Sequence, residues 1–285
     1  MNSTSTRHTM KHTGPSSILV IGCGKMGSAI IQGWLNDSID GRNIYIVDPN
    51  IDALQPLVQA GEVKAYATPT ALPAIRFDFV MVAIKPQMVQ KILPLYRDFI
   101  HSDATLISVA AGVTNASLGE LIPNIRSIIR VMPNTPALVQ RGVMVGCANQ
   151  HVSEQQRSVC KKLFSLLGNF YWVEDESLMD AVTAVSGSGP AYLFHFTECL
   201  IDAAKKVGLP EDLAKALAIN TVTGAAHLVS VEEKEVSELR QDVTSPKGTT
   251  EAALNIFMAQ QELNQLVSKA VNAASKRSKE LAELV

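Results

Sequence analysis

The segment Gly22–Gly27 carries the clearest chemical signal in the sequence. Its residues, Gly-Cys-Gly-Lys-Met-Gly, form the pattern G-x-G-x-x-G directly after the apolar run Ile18–Ile21 and before residues of helical period. In a strand–turn–helix unit, the first glycine permits a tight turn, the second lets a pyrophosphate approach the backbone, and the third allows close helix–strand contact. Phosphates then lie at a helix N-terminus, where unpaired N–H groups favour negative charge. The segment therefore predicts dinucleotide binding.

Asp48 ends the next apolar run, about 20 residues after Gly27. A carboxylate at this point accepts hydrogen bonds from the ribose hydroxyls of NAD, whereas the 2′-phosphate of NADP favours Arg or Lys. Neither Arg nor Lys occurs between Asn43 and Val63. The alternative is that Asp48, followed by Pro49, only begins a turn. The spacing thus favours NAD, or no strong preference between the two cofactors.

Three further loops are expected at the same edge of the sheet. Ala83–Pro86 and Ala110–Gly112 each follow an apolar run, and the crevice of a doubly wound sheet lies at such strand ends. Arg130–Pro136 is too rich in proline to continue a regular element, so we expect a rigid loop near the same crevice. Lys85 is either a cofactor contact or a solvated loop charge, and the residues alone leave both open.

Two loops in the second half of the chain lead into predicted helices. Ser186–Pro190 has the sequence Ser-Gly-Ser-Gly-Pro, and Thr244–Thr250 has the sequence Thr-Ser-Pro-Lys-Gly-Thr-Thr. Both offer hydroxyls and backbone donors at a helix start, which favours binding of a small carboxylate. The alternatives are a plain helix–helix turn for the first loop and a helix cap for the second.

The hydrophobic pattern predicts the elements that position these loops. Short apolar runs without alternation are typical of parallel strands covered on both faces, and here they are interleaved with segments of helical period. This order predicts an α/β Rossmann-type doubly wound parallel sheet, followed after Val173 by an all-α region. The predicted strands are 18–21, 44–47, 79–83, 105–109, 127–132 and 142–148. The predicted domains are a disordered tail at 1–17, a dinucleotide-binding domain at 18–170 and an all-helical substrate and dimerisation domain at 171–285.

One predicted helix carries no charged side chain from Ala216 to Val231 if His227 is neutral. Its length, about 24 Å, is too short to span a membrane. A helix that is apolar on all sides must be buried on all sides, and a small helical domain offers little interior for it. We therefore expect a second copy of the chain to cover one face, giving a homodimer. The alternative is a central helix enclosed by its own neighbours.

The composition excludes several classes of protein. The 285 residues are 47% hydrophobic and carry a formal net charge of −2, which excludes a disordered chain and a long-range field for nucleic acid or anionic membrane. The four cysteines form no C-x-x-C pair, so neither a disulfide framework nor a zinc ribbon is expected. The polar first 17 residues lack the apolar core of a secretory signal, and a cytoplasmic protein is expected.

Six blocks in a fixed order give the sequence a specific resemblance. They are GCGKMG, AIKP, SVAAGV, RVMPNTP, AVSGSGPAY and SPKGTT. From about residue 17 onward the chain resembles the pyrroline-5-carboxylate reductase family, which catalyses the last step of proline synthesis. The resemblance implies a domain that binds NADPH or NADH and an intertwined dimer of the helical domains, often assembled into larger rings. It also implies an active site between the two domains.

The resemblance assigns roles to individual residues. Thr250 is implied as the catalytic hydroxyl near the reacting nitrogen, and the backbone N–H groups of Gly248, Thr249 and Thr250 are expected to hold the substrate carboxylate. The implied substrate-binding residues are Ser245, Gly248, Thr249, Thr250 and, more weakly, Glu174. The expected cofactor-binding residues are Ile21, Gly22, Cys23, Gly24, Lys25, Met26, Gly27, Asp48, Ala83, Lys85, Pro86, Ala110, Ala111, Gly112 and Asn134.

The chain departs from the family pattern at two positions. Lys247 stands where the family usually has a glycine. If that glycine serves a positive φ, Lys247 is strained and Gly248 must carry the turn; alternatively, Lys247 adds a cation that attracts the substrate carboxylate. At Asp48, relatives often have a smaller neutral residue and prefer NADPH, so the expected cofactor is NADP or NAD.

Two other functions compete with this interpretation. A β-hydroxyacid dehydrogenase shares the two-domain plan but needs a catalytic lysine on the helix after a comparable glycine motif, and here the helix from Pro190 has no lysine before Lys205. A catalytically silent nucleotide sensor would retain the glycine loop but have no reason to retain Ser245–Thr250. Both alternatives therefore fit the residues less well.

Overall fold

The computed structural model describes residues 17–37 and 39–283, which form two compact units. The first unit contains the chain up to Thr183 and takes it up again from Ser278, and the second unit is Ala184–Arg277. The tail predicted at 1–17 lies outside the described residues except for Ser17. The Ser17 hydroxyl donates to the carbonyl oxygen of Arg76 at 2.8 Å.

The described part of the first unit is built on an eight-stranded sheet. Its strands are β1 (Ile18–Ile21), β2 (Ile44–Val47), β3 (Lys64–Tyr66), β4 (Phe79–Val82), β5 (Thr105–Ser108), β6 (Ser127–Met132), β7 (Gly142–Ala148) and β8 (Gly168–Trp172). They lie in the order β3-β2-β1-β4-β5-β6-β7-β8, and β6 with β7 is the antiparallel pair in an otherwise parallel sheet. The strand order reverses between β1 and β4, and open α/β sheets bind ligands in the crevice beyond the carboxyl ends of such strands.

Hydrophobic side chains form a separate core on each face of this sheet. Along β1, Ile18 and Val20 belong to one core, while Leu19 and Ile21 belong to the other, and all four are fully buried. This two-sided burial explains why the strands have continuous apolar sequences rather than alternating ones. The helices of this unit are α1 (Lys25–Asp37), α2 (Gln55–Gly61), α3 (Pro86–Ile92), α4 (Asn115–Leu121), α5 (Glu154–Ser165) and α6 (Met179–Val182).

A buried hydrogen bond joins the first helix to the fifth. The indole Nε1 of Trp34 donates to the carbonyl oxygen of Leu163 at 2.9 Å. Leu163 lies in the last turn of α5, where carbonyl groups have no donor within the helix. Trp34 therefore satisfies one of these carbonyls and fixes α1, the helix that follows the glycine loop, against α5.

The six predicted strands are confirmed to within one residue, but the sheet has two more. β3 and β8 are edge strands, short or only partly buried, so their sequences lack a continuous apolar run. The sequence predicts a parallel sheet, whereas β7 runs antiparallel to β6. A capping box formed by Ser153 and Gln156 opens α5.

Residue 170, expected as the domain boundary, lies inside β8. This strand pairs in parallel with β7, and the first unit continues as far as Thr183. The expected boundary is therefore too early, because β8 is a half-exposed edge strand with a weak sequence signal. The last turn of the C-terminal helix also returns to the first unit from Ser278, which the continuous helical pattern of the sequence did not reveal.

The second unit is helical. It contains α7 (Gly189–Lys206), α8 (Glu211–Val231), α9 (Val236–Asp242), α10 (Thr249–Phe257) and most of α11 (Glu262–Ala282). A π-helical turn at Thr183–Gly187 precedes α7. The all-helical character predicted after Val173 is thus confirmed for this unit.

Helix α8 is not enclosed by its own chain. Only Ala214 and Ala218 of this helix are buried, although it carries the uncharged stretch noted in the sequence. A groove of about 490 Å³ lies between α7 and α8 and is lined mainly by apolar side chains, including Phe194 and Ile219. The exposed large apolar side chains of this unit include Leu193, Phe194, Leu217, Ile219, Leu228, Val229, Ile256, Phe257, Leu266 and Val267. The alternative of a helix enclosed by its own neighbours is therefore wrong for the described chain.

The described residues contain no helix that is both long and apolar enough to cross a membrane. All four cysteines lie in the described part of the chain, and each has a free thiol. Cys23, Cys147 and Cys160 are buried, while Cys199 is exposed. Burial raises the pKa of each buried thiol, most strongly that of Cys160.

Candidate active site

The glycine loop after β1 has the geometry that its sequence predicts. Gly22 has a φ of +82°, and a Cβ atom there would lie 2.3 Å from Cγ2 of Ile84. A Cβ atom on Gly27 would lie 3.0 Å from the carbonyl oxygen of Gly22, whereas one on Gly24 would meet no atom within 4 Å. Gly22 and Gly27 are thus required by the fold. Gly24 faces open space, as expected of the glycine that admits a phosphate to the backbone.

Asp48 connects the end of β2 to this loop. Its Oδ2 accepts a hydrogen bond from the backbone N–H of Cys23 at 2.7 Å, and its Oδ1 accepts one from the N–H of Asn50 at 2.9 Å. The second bond closes a turn at residues 48–50, which is the alternative role that the sequence suggests for Asp48. The bond from Cys23 fixes the glycine loop, a role that the sequence pattern does not reveal. A carboxylate oxygen can accept more than one hydrogen bond, so the predicted ribose contact stays a prediction.

A cavity of about 370 Å³ opens beside the glycine loop. It is lined by Ile21, Gly22, Cys23, Gly24, Val47, Asp48, Pro49, Ala83, Ile84, Lys85, Met88, Ile92 and Tyr96. Seven of the predicted cofactor-binding residues are therefore brought together, and Lys85 contributes an exposed basic side chain. Met88, Ile92 and Tyr96 are lining residues that were not predicted, although their spacing of four residues is typical of one helical face.

Tyr96 is a buried polar side chain in the cavity wall, 3% exposed. Its burial, and secondarily the negative charge of Asp48, raises the pKa of the phenol to about 12. Tyr96 is therefore neutral at physiological pH and can present only an uncharged hydroxyl to a bound molecule. The rest of the wall around it is largely apolar, as in other small-molecule sites.

The remaining predicted cofactor residues do not line this cavity. Lys25, Met26 and Gly27 belong to the first turn of α1, and Pro86 is the first residue of α3. Asn134 is buried, and its Oδ1 accepts from the backbone N–H of Val143 at 2.9 Å, which gives it a structural role in the loop after β6. Ala110, Ala111 and Gly112 form the turn after β5. Cofactor contacts of these eight residues stay predictions.

The loop Ser245–Thr250 precedes α10 in the second unit. Gly248 is the N-cap residue of this helix and provides no side-chain cap, so the first N–H groups of the helix have no partner within it. The backbone N–H of Gly248 donates to the carbonyl oxygen of Ser245 at 3.0 Å. In this conformation the N–H of Gly248 is already paired, so its contact with a substrate carboxylate stays a prediction, and the N–H groups of Thr249 and Thr250 are the ones left without a helical partner.

Lys247 adopts the left-handed conformation in this loop. Its φ is +61°, while Gly248 has an extended φ of −85°. Lys247 is therefore strained, as expected if the family glycine serves a positive φ, and Gly248 does not supply a positive φ of its own. The N–H of Lys247 donates to Oε2 of Glu251 at 2.7 Å, which offsets part of this strain.

Glu174 is already paired within the first unit. Its two carboxylate oxygens accept from the Nη1 and Nη2 atoms of Arg157 at 2.8 and 2.9 Å. Hydrogen bonding to Arg157 lowers the pKa of Glu174, which is exposed to solvent. Its implied contact with substrate stays a prediction.

We predict that Gly24→Ala weakens dinucleotide binding about tenfold or more, because a methyl group would occupy the space through which a phosphate approaches the backbone. The fold tolerates the change, since that methyl group meets no protein atom within 4 Å. Isothermal titration with NADH and NADPH measures the affinity. Gly22→Ala is the matched control: it should also lower the thermal unfolding temperature, whereas an equal loss of stability in Gly24→Ala would contradict the prediction.

We predict that Lys247→Gly raises the free energy of unfolding by about 1 kcal/mol, because glycine adopts a positive φ without the steric cost that lysine bears. Urea denaturation followed by circular dichroism measures the change. Lys247→Ala removes the charge but retains the strained backbone, so it should leave stability unchanged. Equal stabilisation by both substitutions would show that charge, not backbone strain, determines the effect.

Comparison with known proteins identifies relatives for both parts of the chain. Residues 176–281 match the family described as pyrroline-5-carboxylate reductase dimerisation, and residues 17–112 match the family described as NADP oxidoreductase, coenzyme F420-dependent. The chain is 38% identical over 267 residues to a pyrroline-5-carboxylate reductase of Pseudomonas aeruginosa, covering 93% of this chain and 97% of the relative. It is 39% identical over 268 residues to that of Haemophilus influenzae, covering 94% and 98%.

Solved structures agree with these relatives. A pyrroline-5-carboxylate reductase from Coxiella burnetii is 33% identical with a TM-score of 0.87, covering 94% of this chain and 98% of that one. The Plasmodium falciparum pyrroline carboxylate reductase, solved with NADP bound, is 30% identical with a TM-score of 0.80, covering 93% and 98%. The two family matches contain the glycine loop, within residues 17–112, and the Ser245–Thr250 loop, within residues 176–281. The chain therefore belongs to the pyrroline-5-carboxylate reductase family.

Proposed function

We propose that this protein reduces 1-pyrroline-5-carboxylate to proline with a nicotinamide dinucleotide as hydride donor. The observation that carries the proposal is the cavity at the glycine loop, in a chain whose relatives match it over nearly their whole length. A silent nucleotide sensor is less well supported, because the relatives that match the chain over nearly their whole length are reductases. A β-hydroxyacid dehydrogenase lacks support from the similar proteins for the same reason.

The residues of the cavity fit a dinucleotide. Gly24 leaves its backbone open, the N-terminus of α1 lies directly after it, and the Asp48 carboxylate stands at the end of β2. A reduced nicotinamide bound there would supply a hydride to the imine carbon of the substrate. The N–H groups at the start of α1 favour a pyrophosphate, and the apolar wall formed by Ile84, Met88 and Ile92 excludes water from part of the site.

The start of α10 is proposed to hold the substrate. Its free N–H groups at Thr249 and Thr250 suit the ring carboxylate, and the nearby ammonium group of Lys247 adds a positive charge to the same loop. Thr250 is proposed to donate a hydrogen bond that orients the ring nitrogen. A threonine hydroxyl is too weak an acid to supply a free proton, so solvent delivers the proton that the nitrogen gains. Positioning then accounts for most of the rate enhancement.

The proposed cofactor is NADH or NADPH, and Asp48 bears on the choice. Its carboxylate would repel the 2′-phosphate of NADPH but could accept hydrogen bonds from the ribose hydroxyls of NADH. Yet a related protein was solved with NADP bound. A steady-state assay of 1-pyrroline-5-carboxylate with each cofactor separately measures the preference of this chain, and activity with neither would refute the proposed function.

We also propose that the chain is a cytoplasmic homodimer that associates through the second unit, and that dimers assemble further into a ring. The exposed apolar side chains of α7, α8 and α10, together with the match to a dimerisation family, support the dimer. We predict that sedimentation equilibrium gives the mass of two chains or a multiple of two. Ile219→Asp, which places a charge in the apolar groove, should shift the equilibrium towards monomer.

Leu95→Asp is the matched control for this experiment, because it adds the same charge to an exposed leucine of the first unit. It should leave the dimer intact. A monomeric parent protein, or equal dissociation by both variants, would contradict the proposed interface.

We predict that Thr250→Val lowers kcat/KM for 1-pyrroline-5-carboxylate by about tenfold to a few hundredfold, because the variant retains the shape of the side chain but loses its hydroxyl. Cofactor affinity should be nearly unchanged, since the effect is confined to the substrate. Thr250→Ser retains a hydroxyl and should recover most of the activity. Full activity in Thr250→Val would remove this residue from the mechanism.

A further inference from the structure

One carboxylate joins two elements on either side of the turn after β5. Oε1 of Glu176 accepts from Nη1 of Arg130 at 2.7 Å and from the backbone N–H of Asn115 at 2.8 Å. The side chain of Arg130 is 7% exposed and that of Glu176 is 33% exposed. A buried guanidinium group depends on its carboxylate partner, so these three groups act as one unit.

The positions of these groups place the turn between them. Arg130 lies on β6, directly beside Ser108, the last residue of β5. Asn115 is the first residue of α4. Glu176 therefore links the strand beside the end of β5 to the start of the helix that follows, and Ala110–Gly112 lies in the short connection between these two points.

The same turn is supported from another side by the end of α11. Gly112 has a φ of +79°, and a Cβ atom there would lie 3.1 Å from Cβ of Leu281 and 3.2 Å from the carbonyl oxygen of Ser278. The hydroxyl of Ser278 donates to Oδ1 of Asp180 at 2.6 Å. Asp180 lies one helical turn after Glu176, so one short segment of the chain anchors both supports of the turn.

The turn lies where the reacting end of a dinucleotide must pass. β5 is adjacent to β4, and β4 is adjacent to β1, which carries the glycine loop. A dinucleotide whose pyrophosphate lies over that loop extends across the crevice at the carboxyl ends of the strands. Because the adenosine half is expected beside Asp48 on β2, the nicotinamide half extends in the opposite direction, towards β4 and β5.

We propose that Glu176 is a positioning residue, which holds the Ala110–Gly112 turn so that the nicotinamide is presented correctly for hydride transfer. The inference rests on the proposed function. Glu176 acts through Arg130 and Asn115 and is not itself required to touch cofactor or substrate. Misplacement of reacting groups by about 1 Å costs up to about a hundredfold in rate, so loss of the tether acts on hydride transfer more than on overall affinity.

Glu176→Gln tests this role, because the amide preserves the size of the side chain but removes its charge. We expect kcat to fall by about tenfold or more and the primary deuterium isotope effect with 4-deuterated cofactor to rise. ADP-ribose, which lacks the nicotinamide, should bind within about twofold of its parent affinity, since the glycine loop and Asp48 are unchanged. The ratio of NADH affinity to ADP-ribose affinity should therefore be lower in the variant than in the parent.

Asp103→Asn is the matched control, because it makes the same change of acid to amide in an exposed ion pair with Arg76. Asp103→Asn should show the same kcat, isotope effect and ADP-ribose affinity as the parent. If Glu176→Gln does not fold, Glu176→Asp retains the charge but is too short to reach both partners, and the same kinetic pattern is expected. Parent values of kcat and isotope effect in a folded Glu176 variant would overturn the proposal, as would an equal loss of ADP-ribose binding.

If the proposed function itself is wrong, the experiment gives a different result. In that case the parent itself shows no reduction of 1-pyrroline-5-carboxylate with either cofactor. The ratio of NADH to ADP-ribose affinity still tests the role of Glu176, because it needs no turnover. An unchanged ratio in Glu176→Gln would then refute the positioning role independently.

Discussion

The close contact between the loops after β1 and β4 is the constraint on which the dinucleotide site depends. A side chain on Gly22 would overlap Ile84 and approach the carbonyl oxygen of Ala83 to 3.1 Å, so these strand ends can meet only where residue 22 is glycine. The N–H of Gly22 also donates to the carbonyl oxygen of Val47 at 2.8 Å, which ties the loop to the end of β2. Three strand ends thereby converge, and the cavity is the space that they leave.

Polar groups at this edge of the sheet are used mainly to hold loops in place. Asp48 accepts from the glycine loop, Asn134 accepts from β7, and Glu176 accepts from α4 and β6. The bonds to Cys23, Val143 and Asn115 satisfy backbone N–H groups, and the bond to Arg130 pairs a buried guanidinium group. They also make the loops rigid before any ligand binds, which lowers the cost of ordering them during catalysis.

The sequence predicted the central sheet and the glycine loop well, because β1, β4 and β5 are buried on both faces and their composition shows it. It did not predict β3 or β8, since an edge strand such as Gly168–Trp172 buries only Phe170 and has no continuous run of buried side chains. It also could not predict that Glu176 pairs with Arg130 or that the Trp34 indole donates to Leu163. Those features depend on contacts between residues far apart in the chain, which leave no local pattern.

The path of helix α11 affects the order in which the protein can fold. The chain leaves the first unit after Thr183 and returns to it from Ser278, where Leu281 lies against Gly112. During synthesis, the strands of the sheet emerge from the ribosome long before this turn of α11, so the turn after β5 lacks one of its supports until residues 278–282 have emerged. The helical unit is thus an insertion within the first unit, and a nascent or C-terminally shortened chain would have the glycine loop in place while the neighbouring turn is still unsupported.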